Sequence, residues 1–274
     1  MRSYWDDFAA DFDERSKSTS RLTAAAMVAH LNLSEAEHVV DVGCGPGHGT
    51  AMLAQQLPPE AELAACDLSS AMVDITRRRL MAEAPPSRRA SSVDLRSGVN
   101  AESLPYADGA FDRYLSCFVV QLVTDPAAMM RDAARVLKPG GIAAFSVWGR
   151  PANSPFFTVR ARVQAELGLV PDAQRAARSN FHLHDRETTR RMVLDAGFSS
   201  CYSWYAALAL PFRSSAEFVE FLLSDSPSSR RLVAGLAPQT LERYRSRLLE
   251  EAEQASFASN QPILFEALIL IATK

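Results

Sequence analysis

Three glycines and an aspartate near residue 40 form the stretch of the sequence best suited to holding a ligand. Asp41, Gly43, Gly45 and Gly47 follow one another at every second position, after a short β-branched run and just before a helix-forming segment. Glycine reaches positive φ and lets a ligand approach the backbone closely. A strand, a glycine-rich turn and a helix in this order are typical of a nucleotide-type site.

The spacing of the glycines indicates which ligand to expect. A dinucleotide-binding turn has the pattern G-x-G-x-x-G, but the sixth position is His48 when counted from Gly43 and Thr50 when counted from Gly45. The sequence also lacks the G-x-x-x-x-G-K-S/T loop that holds nucleotide phosphates. The pattern therefore favours a ligand without a pyrophosphate, although a tight turn that binds nothing also fits the glycines alone.

The composition restricts the class of protein less strongly than the glycine spacing does. The chain has 274 residues, 47% of them hydrophobic and 22% charged, as in ordinary globular proteins. A net charge of −3 does not suggest a nucleic-acid partner. The cysteines are too widely spaced to predict a zinc site or a disulfide framework, and there is neither a signal core nor a membrane-spanning stretch. We expect a cytoplasmic protein without a metal; its oligomeric state stays open, a homodimer being one option.

Strands and helices alternate over the first part of the chain. We predict strands at about residues 39–42, 61–67, 91–95, 111–120, 142–148, 198–208 and 262–272. Helices fall between most of them, at about 50–57, 69–84, 126–137 and 185–196, with Ser69 as the N-cap of the second. This alternation predicts an α/β fold with a doubly wound, mostly parallel sheet and helices on both faces.

The remaining segments suggest how a single domain over residues 1–274 is divided. Residues 1–33 read as two helices, the second capped by residues 18–20, which either pack on the domain or form a lid over the ligand site. Residues 36–148 read as the ligand-binding core, which carries the glycine loop. Residues 149–184 and 211–261 read as cap insertions, the second with helices at about 215–223 and 238–253, and residues 262–274 as the final strand.

Ligands of open α/β sheets bind outside the carboxyl ends of the strands. Asp67 ends the second predicted strand, where a carboxylate can accept hydrogen bonds from both hydroxyls of a ribose. Ser116 and Phe118 lie toward the end of the fourth predicted strand, and Asn100 begins the loop that leads to it. We therefore expect these residues to meet the glycine loop at one edge of the sheet.

Five motifs, in order and spacing, resemble the class I S-adenosylmethionine-dependent methyltransferases grouped with the ubiquinone and menaquinone biosynthesis enzymes. They lie at residues 39–50, 67–72, 100–106, 110–112 and 135–141. The likeness is close over residues 36–148 and weaker over 180–200. It implies a Rossmann-like sheet of seven strands whose last strand is antiparallel, with S-adenosylmethionine as methyl donor and S-adenosylhomocysteine as product.

The resemblance also implies a role for the matching residues. The backbone of the glycine loop would lie against the methionine part of the cofactor, with Asp41 near its ammonium and Asp67 on the ribose hydroxyls. Leu68 and Met72 would enclose the adenine, and Asn100 with the Ala101 amide would meet its edge. The complete predicted cofactor-binding set is Asp41, Gly43, Cys44, Gly45, Gly47, Asp67, Leu68, Met72, Asn100, Ala101, Glu102, Ser116 and Phe118.

Two positions depart from the family pattern. Asn100 stands where the family often has Asp, and Gln121 stands where many relatives have His. The second departure removes a histidine base at that position. No catalytic residue is assigned; Gln121, His182 and His184 are candidates by position alone.

The expected reaction is in-line transfer of a methyl group to a small, rather apolar molecule, because the two insertions are rich in aromatic residues. A quinone-like, lipid-like or secondary-metabolite acceptor fits, and the methylated atom is not specified. The alternative from another class is a partner or regulatory subunit that binds S-adenosylmethionine and transfers nothing. An RNA or protein methyltransferase is disfavoured by the charge and by the lack of an N/D-P-P-Y tetrapeptide, and an NAD(P) oxidoreductase by the glycine spacing.

Overall fold

One sheet organises the chain, which a computed structural model describes in residues 2–88, 92–169 and 179–274. Its strands are β1 (His38–Val42), β2 (Glu62–Asp67), β3 (Asp94–Ser97), β4 (Phe111–Cys117), β5 (Leu137–Trp148), β6 (Ser200–Ala209) and β7 (Leu264–Thr273). The spatial order is β3-β2-β1-β4-β5-β7-β6. Strand β7 is antiparallel to β5 and β6, and the other neighbours are parallel. The predicted seven-stranded, mostly parallel sheet with an antiparallel last strand is confirmed.

Helices pack on both faces of this sheet, as predicted. They are α1 (Arg2–Val28), α2 (His48–Gln56), α3 (Ser70–Glu83), α4 (Pro126–Val136), α5 (Pro155–Glu166), α6 (Arg186–Asp195), α7 (Ser215–Ser224), α8 (Pro227–Gly235) and α9 (Pro238–Ala255). Successive strand residues point to opposite faces. In β1, Val39 accordingly joins one buried cluster and Val40 joins the other.

The first helix differs from the prediction of two helices. Residues 18–20 lie inside α1 instead of capping a second helix, and the Thr23 hydroxyl donates to the Thr19 carbonyl within it. Both halves of α1 pack against other parts of the protein, so the helix continues through residues 18–20. Ala9 packs with Met72 of α3, and Met27 is buried in the main core.

Other boundaries also differ from the sequence prediction. Strand β5 begins at Leu137 and not near residue 142. Strand β4 ends at Cys117 and not near residue 120, because Phe118 has a φ of 61° and leaves the strand conformation. Strand β3 begins at Asp94, and residue 91, where we placed its start, lies outside the described residues. The second insertion contains α8 in addition to the two predicted helices, with Ser226 as its N-cap. In the first insertion α5 is described and residues 170–178 are not.

One buried carboxylate holds the segment that leaves β5. Glu266 of β7 is 3% exposed. Its Oε1 accepts hydrogen bonds from the backbone N and Nε of Arg150, both at 2.8 Å. Its Oε2 accepts from Arg150 Nη2 at 2.7 Å and from Asn153 Nδ2 at 2.8 Å. These bonds set the position at which the first insertion begins.

We expect Glu266→Ala to lower the free energy of unfolding by about 2–3 kcal/mol, because the hydrogen bonds of Arg150 and Asn153 to a buried carboxylate are lost. Urea unfolding followed by circular dichroism measures the change. The matched control is Glu220→Ala, which removes an exposed ion pair with Arg245 and should cost less than about 1 kcal/mol. Equal losses in the two variants would show that the Glu266 network does not stabilise the fold.

Candidate cofactor site

A cavity of about 360 Å³ lies at the carboxyl ends of β1, β2 and β4. It sits where the strand order reverses between β1 and β4, the position at which open α/β sheets bind ligands. Its walls come from α1, the glycine loop, the end of β2, residues 99–102 and the segment between β4 and α4.

The glycine loop turns sharply at the end of β1 because its backbone bonds to β2. The amides of Gly43 and Cys44 both donate to the Cys66 carbonyl, at 2.8 and 3.0 Å. Gly43 has a φ of 68°, and a Cβ there would lie 2.3 Å from Val119 Cγ2. A Cβ on Gly45, in contrast, would meet no protein atom within 4 Å. Gly45 therefore leaves open space beside the backbone, as a cradle for a bound group requires.

Asp67 links the end of β2 to this loop. Its Oδ2 accepts from the Gly45 amide at 2.9 Å, and its Oδ1 accepts from the Ser69 amide at 2.8 Å. Burial raises the pKa of the Asp67 carboxyl, and the hydrogen bonds from Ser69 and Gly45 oppose that rise. Each carboxylate oxygen can accept a further hydrogen bond, so Asp67 can still bind hydroxyl groups.

Asp41 is the second carboxylate at the cavity, and it is almost fully buried. The Thr50 hydroxyl donates to its Oδ2 at 2.6 Å. Burial raises the pKa of Asp41 to about 7, and the Asp67 carboxylate adds to the rise while the Thr50 bond opposes it. A cation placed beside Asp41 would favour its ionised form.

His48 is a site residue that the sequence reading used only to reject a dinucleotide spacing. It is the first residue of α2, it lines the cavity, and its Nε2 lies 3.9 Å from Asp13 Oδ1. That nitrogen is buried without a hydrogen-bond partner among the described residues. Burial and the neighbouring Arg79 lower the pKa of His48 to about 4, so the ring is neutral near pH 7.

Most of the predicted cofactor-binding residues line this one cavity. They are Asp41, Gly43, Cys44, Gly45, Asp67, Leu68, Met72, Asn100, Ala101, Glu102 and Phe118. Gly47 and Ser116 do not line it. Gly47 caps α2 against Thr76, and the Ser116 hydroxyl donates to the Val42 carbonyl. The individual roles implied by the resemblance stay predictions.

The loop that holds Asn100 is fixed by its own side chains. Asn100 Oδ1 accepts from the Glu102 amide at 3.0 Å. The Glu102 carboxylate in turn accepts from the Asp125 amide, which joins this loop to the start of α4. Asn100 thus has a structural role in shaping the wall, and its amide oxygen can accept a second hydrogen bond.

The three catalytic candidates lie elsewhere. Gln121 is buried, and its Oε1 accepts from the Trp148 amide at 2.7 Å, which ties the segment after β4 to the end of β5. His182 and His184 precede α6, with Nδ1 atoms 2.8 Å from the Ser179 carbonyl and 2.7 Å from the Phe181 carbonyl. None of the three candidates lines the cavity.

Two groups of cavity residues were missed by the sequence prediction. One group comes from α1, where the sequence analysis named no site residue: Trp5, Phe12, Ser20 and Ala24. The other comes from the segment after β4, which carries no motif of its own: Val119, Leu122, Val123 and Thr124. In the described residues no cluster of His, Cys, Asp or Glu could hold a metal ion, and no helix is long and apolar enough to cross a membrane.

Known proteins share this architecture. A family described as a methyltransferase domain matches residues 40–145. A ubiquinone/menaquinone biosynthesis C-methyltransferase of Neisseria meningitidis is 28% identical over 177 residues, covering 62% of this chain and 69% of that protein. An uncharacterised 37.1 kDa transposon protein of Streptomyces fradiae is 33% identical over 139 residues, 51% of this chain but only 36% of that protein.

A solved structure gives the same fold over the whole chain. A phosphoethanolamine N-methyltransferase of Haemonchus contortus, in complex with S-adenosylhomocysteine, has a TM-score of 0.59 at 16% identity and covers 99% of this chain and 58% of that chain. The sheet order is Rossmann-like, as in class I S-adenosylmethionine-dependent methyltransferases, and residues 40–145 are similar to a methyltransferase domain.

Asp41→Asn tests the electrostatics of the cavity in the ligand-free protein. The folded-state pKa of about 7 exceeds the value of about 3.9 expected in the unfolded chain. Wild type therefore loses stability as the pH rises from about 4 to 7, and the Asn variant does not share that loss. From pH 5 to pH 8, the free energy of unfolding of the variant should rise by on the order of 2–3 kcal/mol relative to that of wild type.

Urea unfolding at the two pH values measures this gain. Asp74→Asn, which alters an exposed carboxylate on α3, is the matched control. A difference between Asp41→Asn and wild type that does not change with pH would contradict a raised Asp41 pKa.

Proposed function

We propose that this chain binds S-adenosylmethionine in the cavity at the end of β1 and transfers its methyl group to a small apolar acceptor. The observation that carries the proposal is the open space at Gly45, flanked by the carboxylates of Asp41 and Asp67, at the reversal of strand order. S-adenosylmethionine would supply a methyl group on a positively charged sulfur. An electron pair of the acceptor would attack the methyl carbon in line with its bond to sulfur, and that bond would break to leave S-adenosylhomocysteine.

The residues present suit such a ligand. Asp41 can accept hydrogen bonds from an ammonium group, and Asp67 keeps acceptor capacity for ribose hydroxyls. Leu68, Met72 and Ala101 line the cavity with apolar surface that suits a flat base. The cavity lies within the size range of small-molecule sites.

Helix α1 forms one wall of this cavity. Trp5 and Phe12 line it. The helix is joined to α3 by the Ser69 hydroxyl, which donates to Asp6 at 2.6 Å, and by the ion pair between Asp13 and Arg79. A covered, apolar site excludes water and strengthens the electrostatic interactions inside it.

A second cavity supports an apolar acceptor. It has a volume of about 370 Å³ and lies between α1 and the two insertions. Its aromatic wall consists of Phe156, Phe212 and Phe221. Phe265 contacts both Phe156 of this wall and Phe118 of the first cavity, so aromatic side chains connect the two. A quinone-like, lipid-like or secondary-metabolite body fits these walls, and the name of the Neisseria relative supports the quinone class.

Positioning is the main catalytic contribution that we propose for the protein. Holding two reactants in a near-attack arrangement supplies much of the rate enhancement of a transfer reaction. A general base is needed only when the accepting atom must lose a proton. We assign none, since Gln121, His182 and His184 do not line the first cavity.

Calorimetry with S-adenosylhomocysteine tests the cofactor assignment. We expect 1:1 binding, with affinity lowered by about 1–3 kcal/mol in Asp67→Ala because ribose hydroxyls lose a buried acceptor. Asp74→Ala is the control, and melting curves check that Asp67→Ala is folded. Unchanged affinity in Asp67→Ala would remove its ribose role, and tighter binding of NAD(P)H than of S-adenosylhomocysteine would contradict the proposal.

A screen with methyl-labelled S-adenosylmethionine against quinols, phenols, fatty acids and amines tests the reaction. With the accepted compound, Phe212→Ala should raise the acceptor KM about 5- to 30-fold, the loss expected for about 1–2 kcal/mol of apolar contact. It should leave cofactor affinity unchanged. Tyr202→Ala, on the exposed side of β6, is the control. Cofactor binding without transfer to any compound would favour the non-catalytic partner subunit instead.

A further inference from the structure

One buried polar atom in the first cavity has no structural explanation. The His48 side chain is 2% exposed, and among the described residues nothing bonds to its Nε2. Proteins seldom bury a polar atom without a partner, because the lost hydrogen bonds to water are not replaced. Since His48 lines the cavity, a bound ligand can supply the missing partner.

The surroundings of His48 favour an anionic partner. His48 is the first residue of α2, and a helix N-terminus carries a partial positive charge. The charged neighbours that act on the ring are Arg79 and Glu83 of α3 and Lys17 and Arg21 of α1. With Asp13 at 3.9 Å, these groups sum to a single net positive charge. A neutral imidazole can carry its proton on Nε2 and donate it in a hydrogen bond.

Asp41 of β1 lies against the first turn of α2. The Thr50 hydroxyl donates to Asp41 Oδ2, and a Cβ on Gly49 would lie 3.2 Å from that oxygen. Asp41 and His48 thus bring a carboxylate and a hydrogen-bond donor to one cavity. These two groups match the ammonium and the carboxylate that an α-amino acid carries on a single carbon.

We propose that His48, with the N-terminus of α2, binds the carboxylate of the amino-acid end of the methyl donor while Asp41 binds its ammonium. The inference rests on the proposed function, because it assigns a residue within the proposed cofactor site. His48 is a binding residue here and takes no part in the chemistry of transfer.

Two ligands that differ only by the carboxylate isolate this role: S-adenosylmethionine carries the ammonium and the carboxylate, and decarboxylated S-adenosylmethionine lacks the carboxylate. A third ligand, 5′-methylthioadenosine, lacks both groups and the positive charge on sulfur. Calorimetry measures the affinity of each for wild type, His48→Ala, His48→Gln and Asp41→Asn. His38→Ala, at an exposed histidine beside Glu62, is the control.

We expect His48→Ala to lower the affinity for S-adenosylmethionine about 10- to 100-fold, which is the loss expected for one hydrogen bond to a charged group. It should leave decarboxylated S-adenosylmethionine and 5′-methylthioadenosine unchanged within about twofold. His48→Gln keeps an N–H donor and should recover part of the affinity. Asp41→Asn should lower the affinity for both compounds that carry the ammonium and leave the affinity for 5′-methylthioadenosine unchanged.

The opposite outcomes separate two failures. If His48→Ala weakens all three ligands equally, or none, His48 does not bind the carboxylate, although the proposed function stands. A favourable coupling energy between Asp13 and His48 in a stability double-mutant cycle, with unchanged ligand preference in His48→Ala, would show that the His48 ring interacts with Asp13 and not with the ligand. Failure of wild type to bind any of the three ligands would overturn both proposals.

Discussion

The hydrogen bond from the Gly45 amide to the Asp67 carboxylate is the contact on which the site depends. It joins the loop after β1 to the end of β2, and the bonds from Gly43 and Cys44 to the Cys66 carbonyl hold the same two strands together. The loop can make this turn only because Gly43 takes a positive φ and has no Cβ to meet Val119. A larger residue would push apart the β1 and β4 ends that form the cavity.

Helix α1 connects this constraint to the rest of the molecule. Its inner face lines the first cavity through Phe12 and Ser20, and Ser18 with Thr19 line the second. Asp13 pairs with Arg79 of α3, and Asp11 pairs with Arg230 of α8 in the second insertion. A single helix therefore forms a wall of both cavities, and displacement of α1 would open both together.

Local backbone patterns explain why much of the fold and site could be predicted from the sequence. The glycine loop, the Ser69 cap and the β2 end at Asp67 depend on neighbouring residues, and they lie where the motifs indicated. The continuity of α1 could not be read this way, because it depends on packing of Ala9 against α3. The burial of His48 Nε2 and the left-handed backbone conformation of Phe118 likewise arise from contacts between distant segments. Ser226 and Pro227 form the cap and proline pair that is typical of a helix start, at the beginning of α8. No helix was predicted there from the sequence.

The most direct test of the central claim is a crystal structure of the chain with S-adenosylhomocysteine. The predicted result places the ribose hydroxyls on Asp67, the adenine beside Leu68 and Ala101, and the amino-acid end along the loop from Gly43 to His48. A ligand bound outside this cavity, or within it in the reverse orientation with the adenine at Asp41, would contradict the cofactor site described for this protein.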